Sequence, residues 1–135
     1  MNMTDDELIA GFEDCTLAHE SFHHPDHVKL AFLYLRRYRA LEAMQRFSAA
    51  LARFATAKGK PDRYHETITW ALVLLIRERM ARAGYKQSWC EFARGNPDLM
   101  SWKDNVLGKY YREETLASDL ARRTFILPDR IRAIR

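Results

Sequence analysis

The sequence predicts an all-α fold, a compact four- to six-helix bundle, and three observations carry that expectation. Apolar residues recur at three- and four-residue spacing through most of the chain. Helix-start signals stand at the head of these stretches, beginning with Thr4 and Glu7 in capping-box register. Alternating apolar and polar runs of useful strand length are absent, which leaves helix packing as the way to bury the core.

After the Thr4 cap, Leu8, Phe12 and Cys15 give a first helix, over about 5–18, its inner face. His24-Pro25 marks the next start, because proline at the first helical position lacks only an N–H that would go unpaired there. Val28, Ala31, Phe32 and Leu35 then form an apolar stripe. His27 lies one turn before Ala31, on the side that becomes buried. Helical spacing resumes from Tyr38 to Ala57 through Leu41, Met44, Leu51 and Phe54. No glycine or proline falls near 37–40, so residues 26–57 read either as two helices or as one long bent one.

Gly59-Lys60-Pro61 is the clearest punctuation in the chain. Asp62 is the expected cap of a helix over about 63–83, with Ile68, Leu72, Leu75 and Ile76 on its core side and Gly84 at its end. Gln87 to Ala93 suggests a short helix and Gly95-Asn96-Pro97 a turn. Ser101 with Asp104 suggests a cap for a helix through about residue 114, and Ser118 starts a final short turn before Phe125.

A chain of 135 residues fits one domain, 1–135, with a real core. Its 47% hydrophobic content and mean hydropathy of -0.43 are those of a globular protein and too apolar for general disorder. The longest apolar run, Trp70 to Ile76, would span about 10 Å of helix against roughly 30 Å of hydrocarbon, so no membrane association is expected. The acidic Asp5-Asp6-Glu7 start does not resemble a secretion signal, and the cytoplasm is the expected compartment. Cys15 and Cys90 are too few for a disulfide framework and read as reduced thiols.

The formal charge of +4 is uneven: residues 1–20 carry six acids and no Lys or Arg, residues 101–135 eight basic side chains and five acids. Those arginines are dispersed among acids, without zinc-finger spacing or an arginine-rich arm, so nucleic acid is not the favoured partner. Arg112, Arg122 and Arg123 read either as selectors of a carboxylate or phosphate or as a solvated helical surface. Gly59-Lys60 lacks the spacing of a phosphate-binding loop.

The histidines carry the functional argument. His19, His23, His24 and His27 fall within nine residues at the entrance to an apolar helix, and His65 begins another beside Glu66. His24 and His27, three apart, share one side of a helix. Opposed helix starts would let His24, His27 and His65, with Glu13 as an added carboxylate, form a centre for Zn, Fe, Cu or Ni. There is no His-Glu-x-x-His motif and no repeated Glu-x-x-His element. Without a metal the same residues allow acid–base chemistry, with His27, His65 and Glu66 as candidate catalytic groups. Structural roles compete with both readings: a helix cap for His24, a bond to a backbone carbonyl for His27, packing beneath an aromatic for His65.

Tyr34, Tyr64, Trp70 and Tyr111 are the candidate ligand-contacting aromatics, with burial in the core as the competing role of each. Thr69, four residues after His65, is placed either to orient it or to bond its carbonyl.

The segments Phe22 to Arg36 and Tyr64 to Ala71, with their FHHxxHV and YHETxTWA patterns, resemble those of a small, poorly characterised bacterial all-helical family. Tyr110-Tyr111 and Ala121 to Asp129 extend the likeness over most of the chain. The resemblance implies bacterial origin and a pocket around the two histidine segments, without an activity, cofactor or substrate.

Two functional expectations follow. One is a small metal-binding helical protein, with enzymatic action on a small molecule left open. The other is a metal-free bundle binding a small molecule or a protein partner, in which the histidines donate hydrogen bonds and Trp70 and Tyr111 line an apolar pocket. A basic nucleic-acid adaptor ranks third, and a homo-oligomer is left open.

Overall fold

A computed structural model describes residues 3–18, 20, 22–103 and 105–130. Its described residues form seven α-helices joined by turns, some of them 3-10. These are α1 (Asp5–Glu13), α2 (His24–Arg37), α3 (Ala40–Ala57), α4 (Glu66–Arg82), α5 (Trp89–Gly95), α6 (Glu113–Leu116) and α7 (Asp119–Arg123).

The all-α class agrees with expectation; the count of four to six helices does not. The discrepancy arises after residue 100, where one helix was expected through 114. Asp104 of the expected cap lies outside the described residues. Asn105 instead caps a 3-10 turn at Val106–Lys109 by accepting the Leu107 N–H at 2.9 Å. The N–H of Arg112 is then taken by the Asp129 carboxylate at 2.9 Å, which ends any continuous ladder, and α6 starts separately. Ser118 caps α7 by accepting the Ala121 N–H at 3.1 Å, where a last short turn was expected.

Other boundaries follow local backbone chemistry. The Thr4–Glu7 capping box forms as read, but α1 stops at Glu13. Cys15 takes a left-handed φ of 63°, and the Leu17 N–H returns to the Gly11 carbonyl at 2.9 Å. Residues 26–57 form two helices, because Tyr38 and Arg39 are both extended. Asp62 is not the cap of α4: it sits in a 3-10 turn begun by Pro61, and the ring of His65 is the cap.

The centre of the molecule is α2, with Val28 and every residue from Leu30 to Leu35 buried. A helix apolar on nearly all sides must be covered on all sides. Accordingly α1, α3 and α4 pack on it, and Phe32 meets Phe92 and Trp89 of α5 at ring distances of 5.0 and 5.5 Å. Between α1, α2 and α3, the ring of Phe12 touches those of Phe22, Tyr34, Phe47 and Phe54 at 5.7–6.2 Å. Leu41, expected on the core side of α3, is instead 80% exposed. It lies in the first turn, before the stripe through Met44 and Phe47 turns inward.

The segment after α7 is fastened back onto α4. The hydroxyl of the fully buried Thr67 donates to the Thr124 carbonyl at 2.7 Å and accepts the Ile126 N–H at 3.0 Å. Phe125 stacks on Trp70 at 5.4 Å, and the Tyr111 hydroxyl donates to the Ile126 carbonyl at 2.6 Å.

The end of α3 sets the direction of the chain toward α4. Gly59 has φ 75°, its N–H donates to the Thr56 carbonyl, and the Lys60 N–H donates to the Ala55 carbonyl at 2.9 Å, a Schellman closure. Space around Gly59 is open, so a side chain there meets no clash and the cost is conformational alone. Gly59→Ala is expected to lower unfolding free energy by about 1 kcal/mol, while Gly59→Asn, which tolerates the left-handed region, costs less. Urea denaturation of both variants checks this ordering; equal stability of Gly59→Ala and the parent would refute it.

Candidate functional site

A cavity of about 570 Å³ lies among α2, α3, α4 and α7. Ala31 of α2, Phe47, Leu51 and Phe54 of α3, and Ile68 and Leu72 of α4 give it an apolar wall. Leu51, Ile68 and Leu72 stand at helical core spacing yet are only half-buried, because their inner faces border this space.

His24, His27 and His65 all line the cavity. Its polar atoms start from the first turn of α2, where the Asp26 carboxylate accepts the His23 N–H at 2.9 Å. His24 is held by its Nε2, 2.9 Å from the Leu99 carbonyl. A carbonyl only accepts, so Nε2 carries the proton and Nδ1 keeps its lone pair. Leu99 ends the 3-10 turn Pro97–Leu99, which Arg79 steadies with two bonds to Asp98, at 2.8 and 3.0 Å, and one to Asn96 at 2.8 Å. Trp102, 51% exposed, lies 5.3 Å from the His24 ring.

One turn on, His27 stacks on Phe22 with ring centres 4.0 Å apart. Its backbone N–H donates to the His23 carbonyl at 3.2 Å, while its ring has no hydrogen-bond partner among the described residues. Burial pushes its pKa down to about 4, with the neighbouring His24 adding to the depression. Burial also lowers the pKa of His24, against the opposing effect of its bond to Leu99. Near pH 7 the cavity therefore presents two neutral imidazoles.

His65 differs. Its Nδ1 accepts the Ile68 N–H at 3.1 Å as the cap of α4, and its Nε2 lies 2.8 Å from the Leu116 carbonyl. One partner is a donor and the other an acceptor, so Nδ1 accepts, Nε2 donates and no lone pair is left spare. Thr69 donates to the His65 carbonyl at 2.7 Å. The ring joins the start of α4 to the end of α6.

The remaining predicted residues are dispersed. Glu13, exposed at the end of α1, accepts from the hydroxyl of the buried Tyr34 at 2.5 Å, and neither lines the cavity. Burial, helped by that carboxylate, raises the Tyr34 pKa. Glu66 accepts from the Tyr64 hydroxyl; Tyr64 lines the cavity and, chiefly through burial, its pKa is pushed up to about 12. Trp70 and Tyr111 face the segment at 124–126 rather than the cavity. His23 is exposed at the start of α2, and His19 lies outside the described residues. Among the described residues, no group of three or more His, Cys, Asp or Glu side chains is arranged to hold a metal ion.

Sequence reasoning missed Phe22 and the basic residues of the linker between α3 and α4. Lys58, Lys60 and Arg63 line the cavity, with Asp62 beside them and Arg122 of α7. The signal was the run Lys58-Gly59-Lys60-Pro61-Asp62-Arg63, which reads as a turn until its neighbours in space are known.

No protein-family model, curated protein or solved structure matches this chain. No helix among the described residues is long and apolar enough to cross a membrane.

The depressed His27 pKa has a definite sign for stability. Between an ordinary value of 6.5 and about 4, the unfolded chain binds a proton that the folded ring does not. Stability from this group is thus complete above pH 6.5 and is lost as pH falls toward 4. The loss expected is about 2–3 kcal/mol. His27→Gln should flatten the pH dependence of urea unfolding in this window. An undiminished slope in the folded variant would show that His27 is not the buried titrating group.

Proposed function

We propose that this protein binds a small organic molecule in the cavity among α2, α3, α4 and α7. The carrying observation is the cavity itself: about 570 Å³ of space with an apolar wall, bordered by His24 and His27. Ligand sites in proteins commonly enclose about 300–1,000 Å³, with a few polar groups fixing orientation. Here the Nδ1 of His24 and the ring nitrogens of His27 supply those groups, while the apolar wall takes the body of the ligand. His65 and Thr69 keep the α4 side of the cavity in place.

A transition-metal centre is a second reading, favoured by the placement of His24 and His27 one turn apart on one cavity, with ring centres 6.4 Å apart. Recruiting His65 to it would break the cap of α4 or the bond to Leu116. Elemental analysis of protein purified without an affinity tag separates the two readings. The organic-ligand reading expects less than about 0.1 equivalent of Zn, Fe, Cu or Ni; about 0.5 equivalent or more would favour the metal.

Titration with 1-octanol, followed by amide NMR, tests the organic-ligand reading. Saturable shifts are expected at Leu51, Phe54, Ala55, Ile68 and Leu72, with a Kd on the order of 0.1–1 mM. Ala55→Phe places a ring in the cavity and should weaken binding by at least about tenfold while the protein still melts cooperatively. Absence of saturable shifts at the cavity, or undiminished binding by folded Ala55→Phe, would overturn the reading.

A further inference from the structure

Building on the cavity-binding reading above, we infer that the ligand is an organic anion, an apolar body bearing a carboxylate or equivalent acid group, held by Lys58, Arg63 and Arg122. Three separate parts of the chain bring positive charge to one cavity: the end of α3 supplies Lys58, the linker supplies Lys60 and Arg63, and α7 supplies Arg122. Asp62 is the one carboxylate bordering this space among the described residues, and it is exposed.

Two of these cations are half-buried rather than freely solvated. Lys58 lies over the ring of Phe54, its Nζ 5.2 Å from the ring centre, so its stem follows the apolar wall. Arg122 is half-buried with no ion pair among the described residues, whereas its exposed neighbour Arg123 pairs with Asp119 at 2.8 Å. A partly desolvated cation gains from an anion, and a guanidinium can take a carboxylate through two parallel bonds.

The other polar groups agree in sign. His24 and His27 are neutral near pH 7 and add no negative charge that would attract a cation. An amine entering the cavity would face four positive side chains and one carboxylate. A neutral ligand would leave Lys58 and Arg122 without a counter-charge. An acid group near the basic side chains, with its carbon chain along Phe54, Leu51 and Ile68, satisfies both the charge and the apolar wall.

Octanoate, 1-octanol and octylamine share a chain length and differ in head-group charge, so they separate this inference from the cavity reading. In low salt near neutral pH, octanoate is expected to bind about tenfold or more tightly than octanol, and octylamine more weakly than octanol. Raising NaCl toward about 0.3 M should narrow the octanoate advantage without changing octanol affinity. The double variant Lys58→Met with Arg122→Gln should bring octanoate to within about threefold of octanol, with octanol binding and melting temperature retained. Octanol binding in the cavity as tightly as octanoate would overturn the anion inference and leave the cavity reading standing. Failure of all three probes to shift cavity amides would overturn both. Should the double variant unfold, the salt dependence of the parent protein decides: no loss of octanoate affinity with salt would refute the charge contact.

Discussion

The structure depends on the burial of α2 on all sides. Seven residues of that helix, Val28 and Leu30 to Leu35, leave no broad solvent face. Each neighbour can be understood as a cover: α1 and α3 through the rings around Phe12, α4 along its length, and α5 through Phe92 and Trp89. Burying these side chains contributes roughly 1.5–3 kcal/mol for each large one, far more than any surface ion pair in the molecule. The polar contacts then decide which arrangement of covers is adopted. Arg79 fixes the turn after α5, and Thr67 fastens the segment after α7.

The cavity lies where that covering is incomplete. Toward the start of α2 the sequence changes from leucine and phenylalanine to His27 and His24, and the facing positions on α3 and α4 carry Leu51, Ala55 and Ile68. An apolar wall ending in neutral imidazoles and then in cations forms a gradient of polarity across one space. Such a gradient suits a molecule with unlike ends. The low His27 pKa comes from the same geometry, since a ring stacked on Phe22 is poorly solvated when charged.

Much of the framework was legible in the sequence because its signals are local. The Thr4 capping box, the proline start of α2, Gly59, Gly84 and the Ser118 cap all act within a few residues of their own position. The region after residue 100 was not legible, because its helix is interrupted by a bond from Arg112 to Asp129, which no helical period reveals. For the site, grouping His24, His27 and His65 on one cavity followed from helix starts meeting. The role of each did not. His65 is committed to backbone groups at residues 68 and 116, and Glu13 to Tyr34, partners chosen by tertiary packing. Helical spacing also marks Leu51, Ile68 and Leu72 as core without distinguishing a filled core from the lining of a cavity.

Two cavity histidines are held by carbonyl oxygens of distant chain, Leu99 for His24 and Leu116 for His65, at separations of 75 and 51 residues. The main chain at those positions, not the leucine side chain, makes the bond. Over evolutionary time a point substitution at either position leaves the oxygen available as long as the backbone keeps its path. An insertion or deletion between the two would move the anchor itself. The stretch of chain from 99 to 116 is therefore expected to vary in residue type among descendants of this chain while keeping its length. Changes in that length would be the economical route by which such a cavity acquires a different ligand.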